Sequence, residues 1–282
     1  MSQVAGVFKG FKGKLSLRGF MRVVGQPYWR LRDHLRAAPV RLQRQQALEA
    51  DGERVKGVAL SHPTYGYRPV YQVLKSQGEA LGRERIRCLL KDLGLQQRRP
   101  KKTRRQAAKV TESADFPEGR RVQIDATRLL LDDGVAWVYL VEDVLSRVCL
   151  SVNVGQRLSQ ERAALALQEG RQVLMAHDIT TPLVIQSDAG SDFTSAYFQD
   201  CCQTMGQWIR CRVNQVGGMG ILERLNRTFK YDFVFRHEVE VLDDLKELAR
   251  QFQQWYNQER LHSSLGYQVP WQQLVADATV PS

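Results

Sequence analysis

Three carboxylate side chains occupy positions where acidic residues are uncommon, and together they could bind metal ions. Asp125 lies inside an apolar run typical of a strand, Asp188 directly follows another such run, and Glu223 lies early in a helical segment. Carboxylates are depleted in strand interiors, although a lone aspartate there can also point to solvent. Strand ends and helix starts that converge on one rim can hold two hard cations through oxygen ligands. These residues predict a Mg²⁺ site suited to in-line attack on a phosphodiester.

Short runs rich in Val, Leu and Ile must position these carboxylates. Three predicted strands come first, with a hairpin turn at Asp132-Asp133-Gly134 and a second break at residues 145–147, which favours an antiparallel meander. Helices and strands then alternate. The predicted strands are 122–131, 136–143, 148–154, 183–185 and 208–213, and the predicted helices are 159–176, 195–205, 221–233 and 241–256. This order predicts an α/β core with a mixed sheet.

The charge of the 282-residue chain is divided unevenly. Residues 1–110 hold 25 Lys plus Arg and 7 Asp plus Glu, a net charge of +18, whereas the rest of the chain carries −7. Such asymmetry suggests that a module binding a polyanion is joined to one that uses carboxylates. A surface that is basic only for solubility remains the alternative.

Composition excludes several classes of protein. The 43% apolar and 25% charged residues are ordinary for globular proteins and unlike those of a disordered chain. No apolar run approaches the roughly 18 to 20 residues that span a bilayer, so we expect a soluble, cytoplasmic protein. The five cysteines are scattered, without C-x-x-C spacing, and predict neither a disulfide framework nor a zinc site.

The basic third of the chain is predicted to be helical. Near-helical apolar spacing over residues 15–35, interrupted at Gly25-Gln26-Pro27, favours a helix-turn-helix, and a further helix is predicted from about Pro39 to Glu53. After Gly82 a helix carries basic side chains beside an apolar stripe, as a helix facing phosphate would; a solvated basic face is the alternative. These side chains are Arg83, Arg85, Arg87 and Lys91.

A strongly basic run without an apolar face follows, and it predicts a linker that also grips phosphate. Its first basic side chains are Arg98, Arg99, Lys101 and Lys102. The domains predicted along the chain are a helix-turn-helix-like segment at 1–60, a second such module at 61–98, the linker at 99–117 and an α/β core at 118–282.

The amino-acid sequence around the carboxylates is similar to that of a known family. The segments are IDATRL, VEDVLSR, IQSDAGSDFTS, ILERLNRTFK and WYNQERLHSSLGYQVP. Over nearly its whole length the chain resembles the retroviral-integrase-like transposases of bacterial insertion sequences, specifically the downstream-frame (OrfB) product of the three-series family. The resemblance implies an RNase H-like integrase core, with a mixed five-stranded sheet flanked by helices, after small all-α modules.

The resemblance also implies roles for particular residues. Asp125, Asp188 and Glu223 match the metal-binding catalytic triad, with Mg²⁺ or Mn²⁺ as the cofactor and two ions per active site. Lys230 matches a basic residue seven positions after the glutamate. Because seven helical residues span about 10 Å on one face, Lys230 is expected beside the metal site, with Arg227 one turn nearer, and both are expected to bind DNA.

The chain departs from the family pattern near the triad. Between Asp188 and Glu223 lie 34 residues, where the family has 35. Gln186 stands where a histidine is usual, and Asp192 stands where a glutamine is usual. The extra carboxylate of Asp192 could disturb metal binding or bind metal itself. The family's Asn before the glutamate is missing, since that region reads GGMGI.

Other polar residues of the matching segments are interpreted as structural. We expect Asp143 to be a structural or outer carboxylate and His262 to be a hydrogen-bonded structural histidine. Tyr65, Tyr67 and Arg68 could grip DNA, but core packing is the favoured interpretation.

The sequence therefore predicts a DNA transposase that cuts and joins the ends of its element. We expect a homo-oligomer on terminal-repeat and target DNA, association with the nucleoid of a bacterial cell, no membrane partner, and an upstream-frame subunit or fusion as a further partner. The rival interpretations are a non-catalytic DNA-binding regulator derived from a decayed transposase and a nuclease that cleaves without strand transfer.

Overall fold

A computed structural model describes residues 1–97, 117–211 and 218–278 of the chain. It divides the chain into two compact units, Met1–Arg99 and Pro100–Ser282. Among the described residues, no helix combines the length and the apolar character needed to cross a bilayer.

The first unit is helical. Its helices are α1 (Ser2–Gly10), α2 (Leu17–Val23), α3 (Tyr28–Ser61), α4 (Tyr67–Ser76) and α5 (Arg83–Asp92). The predicted turn between α2 and α3 is present, with Gly25 at a φ of +67°. A small core between α1, α2 and the start of α3 contains Phe20, Met21 and Leu31.

The expected start of a separate helix at Pro39 is wrong, because α3 runs for 34 residues through this proline. Around Pro39 the helix is solvent-exposed, and its Ala, Leu, Gln and Arg residues have high helix propensity. The Arg41 side chain donates a hydrogen bond of 2.6 Å to the His34 carbonyl, in the turn before the proline. The division predicted at residue 60 falls within the last turn of α3.

The second unit holds a mixed five-stranded sheet in the described part of the chain. Its strands are β1 (Arg120–Leu131), β2 (Gly134–Asp143), β3 (Cys149–Gly155), β4 (Leu183–Ser187) and β5 (Gly206–Arg210). The spatial order is β3-β2-β1-β4-β5. The first three strands form the expected antiparallel meander, with Asp132 and Asp133 as the hairpin loop, whereas β1, β4 and β5 are parallel.

Helices cover both faces of this sheet. They are α6 (Gln160–Met175), α7 (Ala196–Gln203), α8 (Gly220–Arg227), α9 (Leu242–Gln258) and α10 (Pro270–Ala278). The predicted single helix at 221–233 is corrected: α8 passes into a π-helix at Thr228–Phe233 and a 3₁₀ turn at Val234–Arg236. His262 and the 3₁₀ turn Ser263–Leu265 lie between α9 and α10.

The two faces of β1 belong to different cores. Val122 and Ile124 pack with α6 and α7, whereas Leu129 packs with α8 and α9. Because side chains alternate along a strand, Gln123 and Asp125 lie on the same face as Leu129. The first carboxylate of the predicted triad is therefore on the side of the sheet that α8 covers.

Candidate active site

Strand register brings Asp125 and Asp188 to neighbouring positions. Parallel pairing of β1 with β4 sets Gln123 beside Gln186. Asp125 is two residues beyond Gln123, and Asp188 is two residues beyond Gln186, just past the end of β4. Since the side-chain period of a strand is two, Asp125 is on the same face as Gln123, and Asp188 continues the face of Gln186. The sheet thus brings two of the three predicted carboxylates to adjacent strands.

The electrostatics of Asp125 reflect this crowding. Burial raises the pKa of Asp125 to about 6, and repulsion by the charge of Asp188 adds to the effect, with a smaller contribution from Asp192. Hydrogen bonds from the Ala126 amide at 2.9 Å and from Asn226 act in the opposite direction. A half-buried carboxylate beside two others is an environment that a divalent cation would relieve.

Asp188 and Asp192 both approach Gly190. The Gly190 amide donates a 2.9 Å hydrogen bond to Asp188 Oδ1. A Cβ atom on Gly190 would lie 3.2 Å from Asp188 Oδ1 and 2.6 Å from Asp192 Oδ1. The loop after β4 therefore carries two carboxylate oxygens around one glycine.

Asp192 differs from Asp188 in its burial. Asp192 is 6% exposed, and its Oδ2 accepts a 2.8 Å hydrogen bond from the Tyr139 hydroxyl. That hydroxyl in turn accepts a 2.9 Å hydrogen bond from the Ser159 amide. One oxygen of Asp192 is thus hydrogen-bonded to a buried core residue, while the charge of Asp192 still raises the pKa of Asp125.

The buried apolar side of α8 packs on the face of the sheet that carries Asp125. Leu222, Leu225 and Phe229 are fully buried and pack against residues of β1 and β2. Glu223, next to Leu222, is exposed. Within residues 1–97, 117–211 and 218–278, no group of three or more His, Cys, Asp or Glu side chains is arranged to hold a metal ion. The triad of Asp125, Asp188 and Glu223 therefore stays a prediction.

Two further side chains of this helical segment reach β1. Asn226 Nδ2 donates a 2.7 Å hydrogen bond to Asp125 Oδ2, and Lys230 Nζ donates a 2.8 Å hydrogen bond to the Arg128 carbonyl. Burial lowers the pKa of Lys230, whereas the charge of Asp125 acts to raise it. Lys230 is thus near enough to Asp125 for their charges to interact, and its role beside a metal site stays a prediction. Arg227, between them, is exposed.

Sequence reasoning missed Asn226. A signal was present, because Asn226 is three residues after Glu223 and four before Lys230, which is one helical face. Its Oδ1 atom is buried and has no hydrogen-bond partner in the described part of the chain. An unpaired oxygen on a side chain that is hydrogen-bonded to Asp125 matches the oxygen ligands that Mg²⁺ takes. The residues around Asp125 therefore fit a hard divalent cation.

Basic side chains of α5 have different surroundings in the first unit. Arg85 pairs with Asp51 at 3.1 Å, Arg87 pairs with Glu84, and Arg83 lies 4.9 Å from the centre of the Tyr71 ring. Lys91 is exposed. The apolar side of α5 is buried through Ile86, Leu89 and Leu90. The other predicted DNA-binding residues, Arg98, Arg99, Lys101 and Lys102, lie outside the described residues, as does most of the predicted linker.

Asp143 has the structural role that the sequence suggested. It is fully buried and accepts two hydrogen bonds from Arg120, at 2.9 and 2.7 Å. The Ser146 amide donates a third, at 2.7 Å. The carboxylate thus fixes the turn after β2. Tyr65 is also buried and stacks on His62 with ring centres 4.7 Å apart, which supports the packing interpretation of that tyrosine.

His262 is likewise structural. It packs edge-on against Tyr256, and its Nε2 lies 3.1 Å from Arg260 Nη1. Burial lowers the pKa of His262 to about 3, and the positive charges of Arg260 and Arg147 add to the effect. The ring is therefore neutral at physiological pH. Glu142 lies in the same cluster, and burial raises its pKa well above the usual value.

Models of known protein families match segments of the chain. An integrase core domain model matches residues 207–270, and an HTH-like domain model matches residues 46–103. A Xanthomonas euvesicatoria protein, described as an uncharacterized 39.2 kDa protein of the insertion element IS476, is 25% identical over 260 residues, which are 87% of this chain and 69% of that protein.

The similar solved structures include the following two. The HTLV-2 integrase catalytic core domain in complex with magnesium has 19% identity and a TM-score of 0.41, over 55% of this chain and 94% of that one. A simian T-cell lymphotropic virus intasome in complex with the PP2A regulatory subunit B56 gamma has 15% identity and a TM-score of 0.46, over 81% of this chain and 75% of that one.

The sheet order, the helices on both faces and the family matches define an RNase H-like integrase core preceded by an HTH-like helical region. The fold class predicted from the sequence is confirmed. The resemblance to the retroviral-integrase-like transposases of insertion sequences is confirmed as well, and the matches are consistent with the downstream-frame type of the three-series family.

Proposed function

We propose that the chain is the DNA transposase of a bacterial insertion sequence, which cleaves phosphodiester bonds and transfers strands at the ends of its element. The observation that supports this proposal is the parallel β1/β4 register, because Asp125 and Asp188 each follow the last paired residues, Gln123 and Gln186, by two positions, and the charge of Asp188 raises the pKa of Asp125. The HTH-like and integrase core matches support the same proposal from the sequence side.

Asp125, Asp188 and Glu223 are the proposed catalytic residues. They would hold Mg²⁺ or Mn²⁺, two ions per active site, which supply activation of the attacking hydroxyl and stabilisation of the leaving oxygen. The buried Asn226 oxygen and the repulsion between Asp125 and Asp188 support a cation at this rim. Glu223 is exposed on the same helical segment as Asn226, from where it can approach the rim when DNA binds.

DNA would be held by basic groups of both units. Lys230 uses one of its three donors on the Arg128 carbonyl, and we propose that it contacts a phosphate next to the reacting bond, with Arg227 beside it. In the first unit Arg83, Arg85, Arg87 and Lys91 on α5, followed by Arg98, Arg99, Lys101 and Lys102, would supply phosphate contacts that are independent of sequence.

The working enzyme must hold two element ends together. We therefore propose a homo-oligomer on terminal-repeat and target DNA, joined in some reactions by an upstream-frame subunit, and a nucleoid-associated cytoplasmic location.

The test is strand transfer of labelled element-end DNA in the presence of Mg²⁺ or Mn²⁺. Glu223→Gln keeps the shape of the side chain and removes its charge, so we expect joined products to disappear while end binding persists. Glu238→Gln is the matched control, because Glu238 is exposed outside α8. Equal joining by Glu223→Gln and the wild type would overturn the assignment of Glu223.

A second candidate function is a DNA-binding regulator without catalysis. Two observations favour it: the described residues hold no three-residue metal cluster, and Asp192 adds a carboxylate where the family has a glutamine. If the wild type binds element ends but neither cuts nor joins them, even with the upstream frame supplied, the regulator becomes the better account.

A further inference from the structure

A buried amide ties α8 to the strand that carries Asp125. Gln123 is 1% exposed, and its Oε1 accepts a 3.0 Å hydrogen bond from the Leu222 amide. Its Nε2 donates to Gln186 Oε1 at 3.0 Å and to the Gly218 carbonyl at 2.9 Å. One side chain on β1 thus contacts β4, the segment before α8 and α8 itself.

These three bonds fix the orientation of the amide. Both Nε2 hydrogens face acceptors, on Gln186 and Gly218, and the oxygen faces a donor. A flipped amide would set its oxygen against the Gly218 carbonyl and its donors against the Leu222 N–H. Because the site is buried, each unmade bond would cost a desolvation penalty. The amide therefore specifies one position of α8.

Helix α8 depends on this bond because it has no cap of its own. The first N–H groups of a helix lack partners within the helix and need a capping side chain. Met219, at the capping position of α8, makes no side-chain hydrogen bond. The acceptor for the Leu222 amide is instead Gln123, which is 99 residues earlier in the chain.

The spacing of the contacts defines a register between α8 and β1. Leu222 meets Gln123, and Asn226 meets Asp125. Four helical residues advance about 6 Å, and two strand residues advance about 6.6 Å. The two contacts can therefore form together only when α8 lies at one position along β1. Glu223 is between these contact points in sequence.

We propose that Gln123 is a positioning residue that sets the register of α8 on β1, so that Glu223 and Asn226 are held at the height of Asp125. This role rests on the proposed strand-transfer function for its effect on rate. The placement of α8 can also be measured without DNA. Gln123 itself is two residues from Asp125 along β1 and acts through the helix rather than on the substrate.

The experiment compares Gln123→Met with Gln253→Met. Methionine has a similar length and makes no amide hydrogen bonds. Gln253 is a matched control, because its Nε2 ties α9 to β3 through the Cys149 and Leu150 carbonyls, at 3.1 and 2.9 Å, without touching α8. Gln123→Asn is a second variant, which keeps an amide but shortens its reach, for the case in which Gln123→Met does not fold.

Three readouts are taken on the full chain. Hydrogen exchange of the Leu222 amide, without DNA, should become about fivefold faster in Gln123→Met, because a cap is worth about that factor. The single-turnover rate of strand transfer at saturating element-end DNA should fall at least about tenfold, since small misplacements of reacting groups are costly. The Kd for the DNA should stay within about twofold, because no phosphate contact is lost. Gln253→Met should leave the exchange at Leu222 and the rate unchanged.

Unchanged exchange at Leu222 in both Gln123 variants would overturn the proposal. A loss of strand transfer in Gln253→Met equal to that in Gln123→Met would do the same, because it would show a general effect of stability. If the wild type joins no strands, the proposed function fails, and hydrogen exchange alone then tests the positioning role. Faster exchange at Leu222 in the Gln123 variants would still support that role.

Discussion

Asp192 is a carboxylate at a position where the family that the chain resembles usually has a glutamine. Its charge raises the pKa of Asp125, yet one of its oxygens is bound to the Tyr139 hydroxyl in the core. The same hydroxyl accepts a hydrogen bond from the Ser159 amide at the start of α6. Asp192 therefore stabilises the loop after β4 as well as adding negative charge at the rim.

Tyr139→Phe should lower the free energy of unfolding. The change removes the hydroxyl and leaves a buried carboxylate oxygen and a buried amide without their partner, which costs about 1 to 3 kcal/mol. Tyr197→Phe is the matched control, because Tyr197 is 51% exposed. Urea unfolding of the two variants provides the measurement, and an equal loss in both would contradict this role of the hydroxyl.

The buried neutral state of His262 predicts a pH dependence of stability. The pKa of His262 is about 3 in the folded chain, below the value of about 6.5 in an unfolded chain. The unfolded state therefore binds the extra proton between these values, and stability falls as the pH is lowered below about 6.5. Between pH 7.5 and pH 5 this loss amounts to about 2 kcal/mol.

His262→Gln should remove this loss, because glutamine does not titrate. The measurement is the difference in unfolding free energy between the variant and the wild type at the two pH values. Glu142 is present in both proteins, so its own titration cancels in this difference. A difference that does not change with pH would show that His262 is protonated as readily in the folded chain as in the unfolded one.

Among the elements, β5 begins at a residue where a side chain would overlap the backbone of β4. Gly206 starts β5 with a φ of +157°, and a Cβ atom there would overlap the Leu183 carbonyl oxygen. Leu183 starts β4, which ends at Ser187, immediately before Asp188. Gly206 therefore lies beside the start of the strand that leads to Asp188.

Gly206→Ala should destabilise the second unit by about 2 kcal/mol or more, because the backbone must move and the positive φ is strained. At Gly57, exposed in α3, a Cβ atom meets nothing within 4 Å, so Gly57→Ala should be neutral or stabilising by up to about 1 kcal/mol. Thermal unfolding of both variants tests the prediction. A midpoint for Gly206→Ala at or above that of the wild type would disprove the close approach.

For the whole molecule, the uneven charge is the feature that bears most directly on the proposed DNA binding. The basic first third has a net charge of +18 over residues 1–110, but the structure divides its cations into two kinds. Arg85 and Arg87 pair with carboxylates of their own unit. Lys91 has no ion pair within the described ranges and is exposed. Lys91 can therefore contact a phosphate without first losing an internal partner.

Lys91→Ala should weaken DNA binding and lower the dependence of log K on log salt by about one unit, since one phosphate contact contributes about 0.9. Lys246→Ala is the matched control, because Lys246 is in α9 of the second unit and pairs with Asp243 at 2.7 Å. Titrations of element-end DNA at several salt concentrations give both slopes. Equal slopes for the two variants would place Lys91 away from the DNA.

Much of the fold was predicted from local patterns. The strands, the hairpin at Asp132-Asp133 and the helices α6, α7 and α9 follow from apolar periodicity and turn residues, which depend on near neighbours in the chain. The resemblance identified the carboxylates of the proposed site. The continuous helix through Pro39 was missed, because a proline is a strong local breaker whose effect is overridden by an exposed, helix-favouring context.

The sequence by itself determined most of the helices and strands and the separation of a basic helical third from an acidic core, and it predicted the carboxylates of the proposed site. Only the tertiary structure decided that Asn226 meets Asp125, that Gln123 caps α8, and that Asp192 is bound to Tyr139. These contacts join residues 53 to 101 positions apart. They depend on how the helices and loops pack on the sheet, and no periodicity within one element records that packing.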